Sequence, residues 1–249
     1  MTPRLLVLQL SRSDPPGRLG EWLTSAGAEL ELVQAGEGGL PAGLDAYQGV
    51  VCLGGEMGAY DDAEHPWLAG VRMLLGRAVA GAVPVLAVCL GAQLLAVATG
   101  GQVRRGPHGA EIGPMLVAKR DAALRDPLFA LLPLTPDVLQ FHDDEVHVLP
   151  PRAELLAASP RYPHQAFRVG PSAYGLQFHI ETTPELVTGW AREAFGPDAD
   201  LPQALSPQRL AEAHADIAET WQPFAERFVE LAAGKLEPPT GRRRDLPLV

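Results

Sequence analysis

The chain has 249 residues, of which 47% are hydrophobic and 20% are charged, and its formal net charge is −10. This length and composition predict an ordinary packed core in one large domain, or in one domain with an appendage. The acidic balance argues against nucleic acid as a partner, because nucleic-acid-binding proteins usually carry a basic surface. No window is apolar for long enough to span a bilayer, so no membrane partner is expected.

The first residues and the cysteine content bear on the cellular compartment. Residues 1–4 run directly into a strand-like segment, without the apolar stretch of a signal peptide. Two cysteines, Cys52 and Cys89, do not make a disulfide framework. We therefore expect a cytoplasmic protein in a reducing environment, and we expect Cys52 to be a buried core residue.

The first half of the chain alternates short apolar runs with helical patterns. Short runs without helical spacing indicate buried strands, and spacings of three and four residues indicate helices. The predicted strands are Leu5–Leu10, Glu29–Val33, Gly49–Leu53 and Val83–Val88, and the predicted helices lie around 19–23 and over Pro66–Val79. This alternation predicts an α/β protein with right-handed crossovers and a mostly parallel sheet.

The pattern changes after Gly101, where several short strand candidates follow one another without helices. They are Ile112–Ala118, Val138–Phe141, Glu154–Ala158, Ala166–Val169 and Ala173–Phe178. This succession predicts an antiparallel or mixed extension of the sheet. A helix is expected over Pro184–Ala194, and one or two helices over Pro207–Ala233, broken or kinked by Pro223. We expect residues 235–249, with the solvated run Arg242–Arg244, to form a mobile tail.

Cys89 is the most informative residue of the chain. It stands where the apolar run Val83–Val88 stops, and small residues and a helical pattern follow it. A thiol on such a strand-to-helix turn is exposed by the turn, and the helix N-terminus favours its thiolate form. Hydrolases use the same elbow, with small residues two positions on either side of the nucleophile, here Ala87 and Gly91. Cys89 is therefore the candidate nucleophile.

A cysteine nucleophile needs a base, and the base needs a residue that orients it. His179 and Glu181 lie two residues apart at the end of a strand-like run, so on an extended chain they project to the same face. Glu181 can then fix the tautomer of His179 while the imidazole faces a thiol. In an open α/β sheet, sites form beyond the carboxyl ends of the strands, where both Cys89 and His179 are expected.

Gly54 and Gly55 also follow a predicted strand directly. Glycines at such a place let the backbone approach a ligand and present N–H groups to it. One of these N–H groups and that of Leu90, the residue after the nucleophile, would form a two-donor oxyanion hole. A turn without this function is the alternative.

The segment 142–147 is rich in histidine and carboxylate side chains, which are groups that can bind a metal ion. It lacks a helical pair of histidines four residues apart, so no metal is expected here. The remaining interpretations are a loop that contacts the substrate and a solvated turn.

Three ordered motifs together resemble the class I (triad) glutamine amidotransferase family, above all its stand-alone members that are similar to GMP synthase. The motifs are Gly54-Gly55-Glu56-Met57, Cys89-Leu90-Gly91-Ala92-Gln93 and Phe178-His179-Ile180-Glu181, and the resemblance covers roughly residues 4–192. It implies a flavodoxin-like sheet and hydrolysis of the glutamine side-chain amide through a thioester, without a cofactor. It also implies that residues 1–195 form the amidotransferase domain and residues 196–249 a helical extension and tail.

The resemblance also implies a role for each matching residue. Cys89, His179 and Glu181 correspond to the catalytic triad, and the N–H groups of Gly55 and Leu90 to the oxyanion donors. Residues that correspond to substrate-binding positions are Gly54, Gln93, His142 and Asp144, and Glu111-Ile112-Gly113 matches a structural motif. Three positions depart from the family pattern: Glu56 replaces a proline, Ala87 a glycine at the elbow, and Asp143 a glycine in the substrate loop.

Three functions are compatible with these residues. The first is a glutaminase that binds glutamine and passes ammonia to a partner synthetase subunit. The second is a γ-glutamyl peptidase or hydrolase with the same triad, favoured because the chain contains no glycine-rich ATP-binding loop and so no apparent consumer of ammonia. The third is a non-catalytic interaction subunit, against which the complete Cys-His-Glu set argues. The oligomeric state is not predicted.

Overall fold

The computed structural model describes residues 2–237, which contain twelve strands and five α-helices. The strands are β1 Arg4–Gln9, β2 Glu29–Gln34, β3 Gly49–Cys52, β4 Val85–Val88, β5 Gln102–Arg105, β6 Glu111–Leu116, β7 Ala118–Lys119, β8 Asp137–His142, β9 Asp144–Val148, β10 Glu154–Ala158, β11 Ala166–Val169 and β12 Ala173–Leu176. The helices are α1 Gly17–Ser25, α2 Trp67–Ala80, α3 Leu90–Ala98, α4 Pro184–Phe195 and α5 Pro207–Ala232. The part of the predicted tail beyond residue 237, including Arg242–Arg244, lies outside the described residues.

The central part of the main sheet is parallel, in the order β2-β1-β3-β4-β12. Its strands are short apolar runs because both faces are covered. Alternate residues of β1 show this, since Leu5 and Val7 belong to one hydrophobic core and Leu6 and Leu8 to the other. The predicted flavodoxin-like α/β fold is confirmed.

The sheet continues from β12 through the antiparallel strands β11, β10 and β7, as the sequence pattern predicted. Two further antiparallel pairs, β6 with β8 and β5 with β9, lie outside this sheet. The interpretation of 142–147 as a loop or turn was wrong except at Asp143, because β8 runs to His142 and β9 starts at Asp144. Arg104 on β5 and Glu145 on β9 form an ion pair at 2.9 Å. Charged residues at these paired positions hide the apolar pattern by which strands are recognised in a sequence.

Helix α5 is a single helix that continues through Pro223, so the predicted break does not occur. Pro223 lies on the exposed face of α5, where water can reach the carbonyl group that the proline leaves without a partner. The opposite face carries Trp221, Phe224 and Phe228, which are buried against the body of the protein. The division at residue 195 stays a prediction.

None of the helices within residues 2–237 combines the length and the apolar character that a bilayer span requires.

Candidate active site

Cys89 occupies a strained turn between β4 and α3. Its φ of 50° lies in the left-handed region, which costs a residue with a side chain about 1–3 kcal/mol. The turn is tight because α3 packs directly on the neighbouring strand. A Cβ atom on Gly91 would lie 2.3 Å from the carbonyl oxygen of Cys52, so only glycine fits there. Strain of this kind at a strand-to-helix elbow is typical of a presented nucleophile.

His179 and Glu181 form a buried pair just beyond β12. His179 Nδ1 lies 2.6 Å from Glu181 Oε1, and the backbone N–H of Ile180 donates to Glu181 Oε2 at 2.9 Å. A carboxylate only accepts hydrogen bonds, so Nδ1 carries a proton and donates it to Glu181. His179 Nε2 is buried and makes no hydrogen bond within the described residues, which leaves it available for proton transfer.

The sheet brings Cys89 and His179 together because β4 and β12 are neighbours. The Cys89 N–H donates to the Leu176 carbonyl at 2.7 Å, which ties the elbow to the end of β12. A Cβ atom on Gly54 would lie 3.3 Å from His179 Cε1 and 3.6 Å from Cys89 Cβ, so both side chains border the same glycine. Burial alone lowers the pKa of His179, but the negative charges of Glu181 and Cys89 raise it well above its ordinary value. This arrangement favours the protonated form of the His179 imidazole.

The two residues that carry the predicted oxyanion donors lie close to each other at the cavity. Gly55 and Leu90 both line the cavity that contains Cys89, and a Cβ atom on Gly55 would lie 3.1 Å from Leu90 Cδ2. Leu90 is the first residue of α3, where a backbone N–H has no acceptor within the helix. Neither N–H group donates a hydrogen bond to another residue of the described chain. Both N–H groups therefore remain available to a ligand.

The cavity has a volume of about 790 Å³ and lies at the carboxyl ends of the parallel strands. The predicted residues that line it are Gly55, Cys89, Leu90, Gln93, His142, Asp144 and His179. Gly54 and Glu181 do not line it: Gly54 lies beneath the cavity side chains, and Glu181 stands behind His179. Ligands of open α/β sheets bind in this position.

Gln93, His142 and Asp144 are held together by backbone and side-chain contacts. His142 Nδ1 donates to the carbonyl of Asp144 at 2.8 Å, and the Gln93 amide donates to the same carbonyl at 3.4 Å and to Gln177 Oε1 at 3.3 Å. Burial raises the pKa of Asp144, and the neighbouring charge of Asp143 adds to this effect.

Glu111, from the motif predicted to be structural, supports this arrangement from below. Although burial raises its pKa, hydrogen bonds from His142, Ser159 and Gln165 outweigh that effect and lower the pKa overall. Within residues 2–237, no three His, Cys, Asp or Glu side chains lie close enough together to hold a metal ion.

Sequence reasoning missed the loop between β1 and α1 and several residues from other elements. The additional residues that line the cavity include Ser11, Arg12, Ser13, Asp14, Arg105, Trp190 and Glu193. Residues of the predicted motifs and segments that were given no site role of their own also line it, namely Glu56, Met57, Ile112, Phe141 and Asp143. Asp14 is the most unusual of them, because its side chain is only 7% exposed and burial raises its pKa to about 6. Its place in the loop that follows the carboxyl end of the parallel strand β1 is a weak signal for it in the sequence.

Comparison with known proteins identifies a family and solved structures that share this fold. The family model for "Glutamine amidotransferase class-I" matches residues 22–188. A crystal structure of a glutamine amidotransferase from Thermotoga maritima superposes with a TM-score of 0.80 and 29% identity, covering 92% of this chain and 99% of that one.

Two curated relatives have different names. A glutamine amidotransferase-like protein of Salmonella typhimurium, YfeJ, is 35% identical over 162 residues, which are 63% of this chain and 66% of the relative. Gamma-glutamyl peptidase 3 of Arabidopsis thaliana is 28% identical over 183 residues, which are 72% of this chain and 70% of the peptidase. The similarity thus leaves about a third of each relative unmatched.

Proposed function

Because the chain belongs to the class-I glutamine amidotransferase family, we propose that it hydrolyses the side-chain amide of glutamine to glutamate and ammonia. The observation that supports this proposal most is the placement of Cys89 on a strained elbow beside the His179–Glu181 pair. A thiol nucleophile, a base and a residue that orients the base are the groups required for acyl transfer from an amide.

The reaction follows from the positions of these groups. The Cys89 thiolate attacks the side-chain carbonyl carbon, and the N–H groups of Gly55 and Leu90 stabilise the oxyanion that forms. Protonated His179 gives its Nε2 proton to the leaving nitrogen, so the C–N bond breaks and ammonia departs from a thioester. His179 then takes a proton from water, whose oxygen attacks the thioester carbon and releases glutamate and the thiolate. Glu181 stabilises the imidazolium throughout.

The test is the release of ammonia and glutamate from L-glutamine by the isolated chain. Replacing Cys89 by Ser or Ala should lower kcat by about 10⁴-fold or more, as the loss of other triad nucleophiles does. Cys52→Ser is the matched control, because Cys52 is fully buried and does not line the cavity. Full activity in the Cys89 variants would overturn the assignment. Release of neither product, together with a Cys89 that an electrophilic glutamine analogue fails to label, would favour the non-catalytic subunit instead.

The size of the cavity favours a second candidate function, the hydrolysis of a γ-glutamyl conjugate. A volume of about 790 Å³ falls within the range of about 300–1,000 Å³ typical of drug-sized ligands, and free glutamine requires less space. The similarity to gamma-glutamyl peptidase 3 extends over 72% of this chain. Both candidate substrates pass through the same γ-glutamyl thioester, so the triad serves either one.

A comparison of kcat/KM for L-glutamine and for γ-glutamyl dipeptides separates the two functions. A strong preference for glutamine would exclude the peptidase and would point to a separate synthetase subunit as the acceptor of ammonia. A strong preference for the dipeptides would identify the conjugate as the substrate.

A further inference from the structure

Asp14 carries a buried carboxyl group whose pKa is raised by burial, an effect that the charge of His179 offsets only in part. Its side chain is 7% exposed, and it forms no ion pair with any residue in the described range 2–237. The hydroxyl group of Ser13 reaches Asp14 Oδ1 at 3.5 Å, whereas Oδ2 receives no hydrogen bond from another described residue. A carboxylate removed from water without a cation is costly, so such groups are usually paired.

The free oxygen lies beside the proposed reaction centre. A Cβ atom on Gly54 would lie 2.8 Å from Asp14 Oδ2 and 3.6 Å from Cys89 Cβ. Asp14 also lines the same cavity as Cys89, on the side formed by the loop between β1 and α1. A small molecule whose carbonyl carbon contacts Cys89 therefore has Asp14 within its reach.

The loop that carries Asp14 is fixed from three sides. The Asp14 N–H donates to the Ser11 carbonyl at 3.2 Å, and the Trp190 indole N–H donates to the Ser13 carbonyl at 2.9 Å. At the other end of the loop, Gly17 has a φ of +44° and packs against the backbone of Glu181. The N–H of the next residue, Arg18, donates to the Glu181 carbonyl at 2.9 Å. The carboxylate is thus held in place before a ligand binds, which lowers the entropic cost of binding.

We propose that Asp14 binds the α-ammonium group of the substrate and so restricts the site to γ-glutamyl compounds. This inference rests on the proposed function, because both candidate substrates carry an α-ammonium four bonds from the carbonyl carbon that Cys89 would attack. The ammonium supplies the direct ion-pair partner that Asp14 has in no described residue, and a charge-assisted hydrogen bond in a buried place is among the stronger polar contacts. Amides of similar length without the ammonium leave Asp14 unpaired and should bind poorly.

The test compares two ligands that differ only in this group, L-glutamine and 4-carbamoylbutanoate, in the full chain carrying Cys89→Ala. Calorimetry at pH 8 measures binding without turnover. We expect L-glutamine to bind about 10- to 100-fold more tightly than the analogue, the range for a hydrogen bond between charged groups. Adding Asp14→Asn should abolish this preference by weakening the binding of L-glutamine alone.

Two further variants serve as controls. Glu193→Gln removes an exposed carboxylate from the rim of the same cavity and should leave the preference in place, because solvent screens its charge. Asp14→Glu keeps the charge and should retain part of the preference. Equal affinity for the two ligands, or no binding of either one, in the Cys89→Ala protein would overturn the proposal even if Asp14→Asn failed to fold.

The result is also separable from the fate of the proposed function. Preferential, Asp14-dependent binding in a chain whose Cys89 form releases no ammonia would support the ammonium site and refute the hydrolysis. If the unaltered chain hydrolyses glutamine normally and Asp14→Asn loses activity equally on both ligands, Asp14 would instead be assigned to the positioning of His179.

Discussion

The cavity has two walls that differ in how their carboxylate groups are stabilised. On the strand-end wall, formed by Cys89 and His179, the pKa of His179 is raised, and Glu181 behind it accepts hydrogen bonds with both carboxylate oxygens. On the loop wall, formed by the loop between β1 and α1, burial raises the pKa of Asp14. Glu181 has its hydrogen-bond partners without a ligand, whereas Asp14 has no ion-pair partner within residues 2–237. This difference assigns the proposed reaction to the strand-end wall and the proposed recognition of the substrate to the loop wall.

Removing the negative charge from the strand-end wall should have the largest effect. Glu181→Gln keeps the shape of the side chain but presents an amide to His179, which no longer stabilises the imidazolium or fixes its tautomer. The corresponding change in a serine protease costs about 10⁴ in kcat, and we expect a fall of about 10²- to 10⁴-fold here, measured as ammonia release.

Glu154→Gln is the control for this change, because Glu154 is exposed on β10, away from the cavity. It should retain the activity of the unaltered chain. A Glu181→Gln enzyme that keeps its kcat would show that the buried pair serves stability rather than catalysis. The strand-end wall would then have no separate catalytic role.

Neutralising the loop wall should stabilise the protein. The pKa of Asp14 is raised from 3.8 to about 6 by burial, against the opposing charge of His179 and with the added charges of Glu181 and Glu56. Between these two values the folded state binds more protons than the unfolded chain. The free energy of unfolding therefore falls as the pH rises from about 4 to 6, and the total loss, which is complete above pH 6, amounts to about 3 kcal/mol.

Asp14→Asn removes this dependence, so urea unfolding at pH 8 should show a more stable variant, with the gain disappearing towards pH 4. Asp143→Asn is the matched control, since Asp143 is mostly exposed and its charge is screened. An Asp14→Asn chain that is less stable at pH 8 would mean that the carboxylate has a structural partner. A gain in stability with a loss of binding is the trade-off expected of a ligand site.

The strand-end wall could be predicted from the sequence because its chemistry depends on local order along the chain. Cys89 follows an apolar run and precedes a helix, and the spacing of His179 and Glu181 alone places both on one face. The role of Asp14 was not predicted, because the position of its loop depends on Trp190, 176 positions further along by number, and on the backbone of Glu181. The sequence of the segment 11–17 indicates only a turn.

The strand β9 was missed for a related reason. Its residues Asp144 and Glu145 are polar, and polar runs usually indicate loops. The strand forms because Glu145 pairs with Arg104 on β5 and because Val146 reaches the core, which are contacts between distant parts of the chain. The same holds for Pro223, whose effect on α5 depends on which face of the helix is buried.

Gly54 is the point where the two walls meet, and its replacement should produce the smallest but most selective effect. The Cβ atom of Gly54→Ala would lie 2.8 Å from Asp14 Oδ2, at the free end of a side chain that can rotate away. His179 Cε1, at 3.3 Å, needs to move only by a few tenths of an ångström. We therefore expect kcat/KM for L-glutamine to fall by about tenfold, with a smaller loss for 4-carbamoylbutanoate, which makes no use of Asp14.

Gly189→Ala is the control, because a Cβ atom there meets nothing within 4 Å and should stabilise α4 by about 0.5–1 kcal/mol. Thermal unfolding of both variants separates a loss of fold from a loss of recognition. Equal losses on the two amides in Gly54→Ala would place the disturbance at His179 and Cys89 instead. A selective loss on L-glutamine would locate the α-ammonium between Gly54 and Asp14, because only the loop wall distinguishes the two amides.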